Sequence, residues 1–391
     1  MFKKILEEGK MHIAGKLACV GMLVIFTGCS SWNPFSKTVP RNPPAALVNF
    51  ANILAVRPIW SSTIGNAGNY IFSPVLSGDS VFVAAADGSI ARINSATGVA
   101  IWRIAAGVRL TAGVGSDASN IAVAAEKGVL MTFGADGKFK WKAQMSSEVL
   151  SAPAVGQGLV IARSVDNRIV AFDAESGAKR WMVQRSAPAL TLRSAPGIVL
   201  NESSAYVAMP GGKLLAIALS NGGVRWEATV GEPRGATELE RVTDTSGAPV
   251  IIGSDICAVT YQGRVSCFNL ANGAVRWAKD LSSAVGVAAD ERFVFAADER
   301  GALNAYARDT GQSVWRNDKL ENRRLSTPSS FGRAVAVGDL QGYIHFLSRE
   351  DGSFIGRVAT DGSAIVAPPV LAGSNLIFQT QSGTVTAFAA E

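Results

Sequence analysis

Histidine is nearly absent from this chain of 391 residues, which contains only His12 and His345. A zinc site built on several histidines and a conventional catalytic triad are both excluded by this shortage. Cysteine is also scarce, with four residues, and no two of them are adjacent. The acidic residues Asp87, Asp298 and Asp339 stand at predicted turns, where aspartate is common for conformational reasons. These shortages argue against an enzyme and predict neither a metal nor a bound cofactor.

Charged residues are few and of mixed sign. They make up 17% of the chain, and 37 lysines and arginines against 31 aspartates and glutamates give a net charge of +6. Residues 1–28 hold four lysines and two glutamates, and the rest of the chain shows no basic stripe. We therefore predict no nucleic-acid partner. Apolar residues at 48% and 40 glycines instead favour many short strands joined by tight turns.

The N-terminus has the pattern of a lipoprotein signal peptide. Residues 16–29 begin with a lysine and continue as an apolar run that is too short to span a bilayer. The run ends in FTGC, which resembles a bacterial lipobox, the motif whose cysteine becomes the lipid-bearing first residue. We predict a signal peptide over residues 1–28 and lipidation of Cys29. A cleaved signal followed by an incidental cysteine is the alternative, and Met11 is an alternative translation start.

A proline-rich segment follows the lipobox. Four prolines separated by polar residues lie between residues 30 and 55, a composition that favours an extended tether without a packed core. We predict a lipidated N-terminus and tether over residues 29–55 and a folded region over residues 56–391. Serine rather than aspartate follows Cys29. By resemblance to sorted lipoproteins, this favours the outer membrane, with the protein facing the periplasm.

A turn glycine followed four residues later by tryptophan recurs along the folded region. The pairs are Gly98 and Trp102, Gly137 and Trp141, Gly177 and Trp181, Gly222 and Trp226, Gly273 and Trp277, and Gly311 and Trp315. Residues 351–356 form a copy that lacks the tryptophan, and Trp60 stands near the start without a glycine before it. Periods near 40 residues are typical of arrays of small β-sheet units.

Each repeat predicts four strands, with a tight hairpin between the second and the third. Eight such hairpins can be counted but only seven fourth strands follow them, because the chain stops at Glu391. Residues 56–61, which include Trp60, can supply the missing outer strand. We therefore predict an all-β fold, an eight-bladed β-propeller of four-stranded antiparallel blades, closed by the N-terminal strand that completes the last blade.

The tryptophans are predicted to fasten neighbouring blades, since each would lie on an outer strand and cover the next blade. This role is expected for Trp60, Trp102, Trp141, Trp181, Trp226, Trp277 and Trp315. The repeat resembles the tryptophan-docking motif of quinoprotein-like propellers. Enzymes of that group carry a vicinal cysteine pair and calcium-binding carboxylates, and this sequence has no such cysteine pair. A degenerate quinoprotein-like enzyme, a cofactor-binding propeller and a ligand sensor that uses the central channel stay open as alternatives.

Cys257 and Cys267 flank the predicted turn at Gln262-Gly263 almost symmetrically. An envelope location permits a disulfide between them. Their facing depends on the register of the hairpin, because a shift by one residue reverses a side chain. Two free, buried cysteines are the equally acceptable alternative.

Two of the repeat intervals, on either side of Trp226, are too long. The extra residues form a first loop, Arg185–Arg193 (RSAPALTLR), and a second loop, Gly231–Gly247 (GEPRGATELERVTDTSG), on the face that carries the hairpins. Exposed leucine beside arginine is typical of protein-binding hot spots. An ordinary solvated loop is the alternative. The candidate partner-binding residues are Leu190, Leu192, Arg193, Glu240, Arg241 and Asp244.

A propeller lipoprotein with an LTLR loop and a GATELER loop resembles the BamB family, the accessory lipoproteins of the outer-membrane β-barrel assembly (BAM) machinery. The resemblance implies that both loops dock onto a POTRA domain of BamA, with Leu190, Leu192, Arg193 and Asp244 in contact. It implies a non-enzymatic scaffold that assists folding and insertion of outer-membrane proteins. A separate hypothesis, with no specific residue behind it, is that unfolded outer-membrane proteins are further partners, whose strands pair transiently with exposed blade edges. The family often has a second acid at the position that Ser246 occupies here, so one charged contact is expected to be missing or replaced.

Overall fold

A computed structural model of the chain describes residues 42–390 except 187, 194 and 195, and these residues form eight four-stranded antiparallel sheets. The predicted signal peptide and the predicted lipidation site Cys29 lie outside the described residues. Within the described part of the chain, no helix is long and apolar enough to cross a membrane.

The sheets are the blades of the propeller, numbered 1 to 8 along the chain. The first strand of the chain, β1 (Val56–Thr63), belongs to blade 8. The strands of blades 1 to 4 are β2 Val75–Ser77, β3 Ser80–Ala84, β4 Ser89–Asn94 and β5 Ala100–Ala105; β6 Leu110–Ser116, β7 Asn120–Ala125, β8 Val129–Gly134 and β9 Phe139–Gln144; β10 Ala154–Gly156, β11 Leu159–Arg163, β12 Arg168–Asp173 and β13 Lys179–Gln184; and β14 Ile198–Leu200, β15 Ser204–Met209, β16 Lys213–Ala218 and β17 Val224–Thr229. A short 3₁₀ turn, Glu126–Gly128, joins β7 to β8.

The remaining blades repeat this order. The strands of blades 5 to 8 are β18 Thr245–Ile252, β19 Asp255–Thr260, β20 Arg264–Asn269 and β21 Val275–Asp280; β22 Val287–Ala289, β23 Phe293–Ala297, β24 Leu303–Ala307 and β25 Ser313–Asn317; β26 Ser329–Phe331, β27 Ala334–Gly338, β28 Tyr343–Ser348 and β29 Phe354–Ala359; and β30 Val370–Ala372, β31 Asn375–Gln379 and β32 Thr384–Ala390, which β1 completes.

The second strand of a blade is buried on both faces because blades pack on either side of it. Every residue of β3, β11 and β27 is buried. This explains why these segments are mainly apolar over consecutive residues rather than alternating between apolar and polar residues, with Ser80 at the start of β3 and Arg163 at the end of β11 as polar exceptions.

The N-terminal strand closes the ring. Strand β1 pairs antiparallel with β32, and Trp60 lies opposite Ala387. The predicted eight-bladed propeller, closed by its N-terminal strand, is thereby confirmed. This pairing gives β32, the last strand of the chain, a partner along an edge that would otherwise be open.

Each of the seven tryptophans on an outer strand reaches the next blade. The indole Nε1 atoms of Trp60, Trp102, Trp141, Trp181, Trp226, Trp277 and Trp315 donate to the backbone oxygens of Ser95, Ala135, Ala174, Leu219, Leu270, Arg308 and Arg349. The ring covers the turn glycine of that blade, and a Cβ atom at Gly98 would lie 2.6 Å from the Trp60 ring. Gly98 also has a φ of 73°, so the turn requires glycine both for conformation and for space.

No tryptophan of the described part of the chain lies at the seam between blades 7 and 8. Gly356 occupies the tryptophan position of blade 7, opposite Phe346. Blade 8 has no turn that could receive an indole, because its outer strand comes from the other end of the chain. Leu54 is buried at this place, and its Cβ would lie 3.5 Å from a Cβ atom at Gly356. A leucine from the N-terminal segment therefore fills a seam where the described residues provide no docking tryptophan.

Residues 43–54, which we call the arm, contact blade 7. The compact unit that contains the propeller begins at Asn42, whereas the sequence predicts a tether as far as residue 55. The Leu54 amide donates to Ile355, and the Phe50 ring stacks on Phe354 with centroids 5.4 Å apart. Proline content suggested a linker, but the apolar residues at the end of this segment are anchored on the propeller.

Cys257 and Cys267 form a disulfide across the hairpin of blade 5. They are direct partners in the register of β19 and β20, so both side chains point to the same face of the sheet. The spacing around the turn did not decide this register in advance.

His345, which the sequence marks only as a rare residue, belongs to a buried ionic network in blade 7. Its Nε2 atom lies 2.8 Å from Asp339 Oδ2, and Arg357 Nε donates to its Nδ1 over 3.2 Å. The Arg357 Nε–H can only donate, so Nδ1 is unprotonated and Nε2 carries the proton that Asp339 accepts. Arg323 Nε donates to the same carboxylate oxygen over 2.6 Å. Asp339 is thus a buried anion and not simply a turn residue.

Stability is expected to fall on acidification because of His345. Burial lowers the pKa of His345 below its ordinary value of 6.5. As the pH falls below 6.5, the imidazole in the unfolded chain becomes protonated while the imidazole in the folded chain stays neutral. Protonation therefore favours the unfolded state, and the free energy of unfolding decreases by up to about 1.4 kcal/mol per pH unit. Burial alone would raise the pKa of Asp339, but the hydrogen bonds from His345, the Tyr343 amide and Arg323 outweigh it and lower the pKa. The carboxylate contribution therefore persists to more acidic pH.

Urea unfolding at about pH 7 and pH 5 measures this dependence, with His345→Gln as the matched variant. The wild type should lose more stability than the variant over this interval, because only the wild type has the suppressed proton uptake. Equal losses in both proteins would show that other groups cause the pH dependence.

Candidate partner-binding site

The first and second loops both connect the outer strand of one blade to the first strand of the next. The first loop follows β13 and leads to blade 4, and the second follows β17 and leads to blade 5. In the hairpin of blade 4, the Gly211 amide donates to Asp244 of the second loop, and a Cβ atom at Gly211 would lie 3.2 Å from Pro188 of the first loop. The expected proximity of the two loops on the hairpin face is therefore present in the structure.

Asp244 ties the two loops together. Its Oδ2 accepts a hydrogen bond from the Leu192 amide at 2.5 Å, and its Oδ1 accepts one from the Gly211 amide at 2.9 Å. The residue is only 2% exposed. The resemblance implied a direct contact between Asp244 and the partner, and this burial does not fit such a contact. Asp244 instead positions the first loop through two charge-assisted hydrogen bonds.

Arg163 is a buried cation near this carboxylate. It lies at the end of β11, and its Nη1 donates to Asn167 over 3.1 Å. Burial lowers the pKa of Arg163 to about 10, and the charge of Asp244 opposes that shift. Among the described residues its Nε has no hydrogen-bond partner. Nothing in the local sequence distinguishes Arg163 from a surface arginine, so it was missed.

Ser246 is also buried. Its hydroxyl donates to the backbone oxygen of Ser283 over 2.8 Å. The serine that stands where the resemblance leads us to expect an acid therefore lies beneath the surface. It contacts the segment that leads to the following blade. The expectation of a missing or replaced surface charge does not fit this position.

Glu240 forms hydrogen bonds within its own loop. Its Oε2 accepts hydrogen bonds from the amides of Ala236 and Thr237, while the Thr237 hydroxyl accepts one from the Glu240 amide. This reciprocal arrangement is that of a capping box. The backbone hydrogen bonds lower the pKa of Glu240. The glutamate that was predicted to bind a partner is thus engaged in shaping the turn.

The exposed apolar tips of the loops are Leu190 and Leu239. Leu190 is 47% exposed, and Leu239 is 71% exposed, the highest value among the large apolar side chains described. Leu192 is half-buried and Arg241 is exposed. Sequence reasoning missed Leu239, although an apolar residue between two glutamates in a loop was an available signal.

Arg193 points across the face towards blade 3. Its Nη1 lies 2.8 Å from Glu148 Oε2, and both side chains are accessible to solvent. Such a surface pair contributes only about 0–1 kcal/mol to stability. The guanidinium therefore remains available to a partner that can replace Glu148. Among the described residues, no group of three or more histidine, cysteine, aspartate or glutamate side chains could hold a metal ion.

Comparison with known proteins identifies the family. The profile described as outer membrane protein assembly factor BamB matches residues 86–317 and 299–391. The chain belongs to the BamB family. It is 43% identical to the outer membrane protein assembly factor BamB of Burkholderia pseudomallei over 376 residues, which are 96% of this chain and 97% of that protein. With the protein of the same name from Bordetella pertussis, identity is 44% over 372 residues, which are 95% of each chain.

The fold of this BamB-family chain has a solved counterpart. The crystal structure of BamB from Moraxella catarrhalis superimposes with a TM-score of 0.79 over 86% of this chain and 100% of that chain, at 24% identity. At this identity the comparison shows a common fold only. The resemblance that the LTLR and GATELER loops suggested is confirmed at the level of the family.

Proposed function

We propose that this protein is a non-enzymatic scaffold for the assembly of outer-membrane proteins, and that its two long loops bind a POTRA domain of BamA. The observation that carries the proposal is the buried Asp244, which holds the Leu192 amide against the hairpin of blade 4. It fixes the main chain of the first loop while Leu190 stays exposed. A preorganised loop binds with a smaller entropy loss than a mobile one.

The proposed contact surface consists of Leu190, Leu192, Arg193, Leu239 and Arg241. Two exposed leucines and two arginines fit a partner surface with apolar pockets bordered by acidic groups. Asp244 and Glu240 act behind this surface as positioning residues. The relatives named above are outer membrane protein assembly factors, which supports a partner within that machinery.

The proposal includes attachment to the periplasmic leaflet of the outer membrane through a lipid on Cys29. A single acyl chain binds membranes reversibly, whereas the lipobox of this sequence resembles those that receive several chains. This anchor would place the propeller near BamA and raise the effective concentration of the loops.

Co-purification with BamA from detergent-solubilised membranes tests the loop surface. We expect the Leu192→Ala/Arg193→Ala double variant to lose at least about tenfold in affinity, because one apolar anchor and one fork-shaped donor are removed. Asp244→Asn should weaken binding as well, because it removes one of the two amide acceptors and the negative charge behind the surface. Cys29→Ala should release the protein from the membrane fraction while leaving the affinity of the loops unchanged.

A matched control lies on the outer strand of blade 5. The pair Val275 and Arg276 combines an aliphatic residue, here an exposed one, with an arginine that forms a surface ion pair as Arg193 does. Val275→Ala/Arg276→Ala should leave BamA binding unchanged. Unchanged binding in the loop variant, with an unchanged melting temperature, would remove the loops from the proposed interface.

A further inference from the structure

The arm lies on blade 7 in the manner of a bound extended peptide. No residue of the arm belongs to a strand, and propeller side chains hold its main chain. The carbonyl oxygens of Pro43, Ala45, Val48 and Ile53 accept hydrogen bonds from Asn322, Arg323, Arg357 and Arg333, respectively. Contacts to main-chain carbonyls do not depend on the side chains of the bound segment.

The donor groups are held in place by the propeller itself. Arg323 is 2% exposed, and Asp339 and Gln341 accept hydrogen bonds from two of its other nitrogens, at 2.6 and 2.7 Å. Arg357 donates to His345. These anchoring contacts lie within the loop before blade 7 and within blade 7, and none of them involves the arm. The donors therefore form a preorganised site.

Two side chains of the arm fill specific places. The Phe50 ring stacks on Phe354, and the Arg357 guanidinium lies 4.9 Å from the Phe50 ring centroid. Leu54 fills the space beside Gly356, where the other blades carry tryptophan. The site thus binds the main chain and also has one subsite for an aromatic side chain and one for an aliphatic side chain. The two side chains are four residues apart in the bound segment.

We propose that blade 7 carries a binding groove for extended polypeptides, which the arm occupies in cis. The ligand class is an unfolded chain with an aromatic residue followed four positions later by leucine. The groove lies three blades from the hairpin of blade 4, and the inference does not rest on the loops that were proposed to bind BamA. The arm competes with any chain that binds in trans, because its covalent connection to β1 gives it an effective concentration in the millimolar range.

Fluorescence anisotropy with a labelled peptide of the arm sequence, PPAALVNFANIL with three lysines added for solubility, tests the groove. Phe50→Ala in the full chain removes the aromatic contact of the arm but leaves Phe354 and Arg357 in place. Loss of one ring stack and one cation–π contact weakens the arm by about tenfold. The labelled peptide should therefore bind the Phe50→Ala protein about tenfold more tightly than the wild type.

The matched control is an arm peptide with alanine in place of its phenylalanine. It should bind the Phe50→Ala protein about tenfold more weakly than the unaltered peptide does. Circular dichroism establishes that the variant is folded. The proposal is overturned if the folded variant shows no saturable binding, or if wild type and variant bind the peptide equally. BamA co-purification of the same variant separates the two proposals, since it should be unchanged whether or not the peptide binds.

Discussion

Replacing Arg323 with alanine is expected to lower the free energy of unfolding by about 3–5 kcal/mol. The guanidinium is buried and donates to Asp339, Gln341 and the carbonyl of Ala45. Removing it leaves the Asp339 carboxylate, which is fully buried, without its cationic partner. The remaining hydrogen bond from His345 cannot offset the loss of charge, because that imidazole is neutral at neutral pH. Chemical denaturation followed by tryptophan fluorescence measures the change.

The control is an arginine with the same type of partner at the surface. Arg292 forms a two-armed ion pair with Glu350, and both side chains are more than half exposed. Arg292→Ala should cost only about 0–1 kcal/mol, because solvent screens such pairs. Similar losses for the two variants would show that the Arg323 network contributes no more than a surface ion pair.

The propeller could be predicted because its repeat is local. The glycine and the tryptophan four residues later lie on one turn and the strand that follows it, so their spacing does not depend on how distant parts of the chain fold. The count of hairpins against outer strands then required Trp60 to come from the N-terminal strand, and the pairing of β1 with β32 agrees.

The side-chain environments at the candidate site could not be predicted in the same way. Asp244 and Leu192 are 52 residues apart, and the burial of the carboxylate depends on how two blades place their loops. The sequence pattern assigned both residues to one surface but could not decide which of them points inwards. Asp339 was interpreted as a turn residue for the same reason, since its partner Arg323 comes from the loop before its blade.

The docking of the arm on blade 7 was not predicted, because the composition of a segment does not show which residues it contacts in the folded protein. Its prolines and asparagines favour a linker, whereas Phe50 and Leu54 find places on blade 7 that exist only in the folded ring. The loss of the tryptophan at residue 356 was visible in the sequence. That vacancy could have indicated that another segment covers the seam between blades 7 and 8.

Trp60→Ala is expected to lower the free energy of unfolding by about 3–5 kcal/mol, the usual range for removing a buried tryptophan. The indole is buried, covers Gly98, and donates to Ser95 over 2.9 Å. Trp277→Ala is the matched comparison, because this indole covers Gly311 in the same way and donates to Arg308. Loss of transfer and packing energy should be similar at the two sites.

The two variants should differ in where the structure opens. The strand that carries Trp277, β21, is continuous with the third strand of its own blade, so the chain holds it in place. Strand β1 has no such connection: its pairing with β32 binds it to blade 8, and the arm that precedes it is bound to blade 7. Hydrogen exchange of the β32 amides should therefore accelerate in Trp60→Ala and stay slow in Trp277→Ala. If exchange is equally slow in both, the docking of Trp60 is not what keeps the ring closed, and the pairing of β1 with β32 suffices by itself.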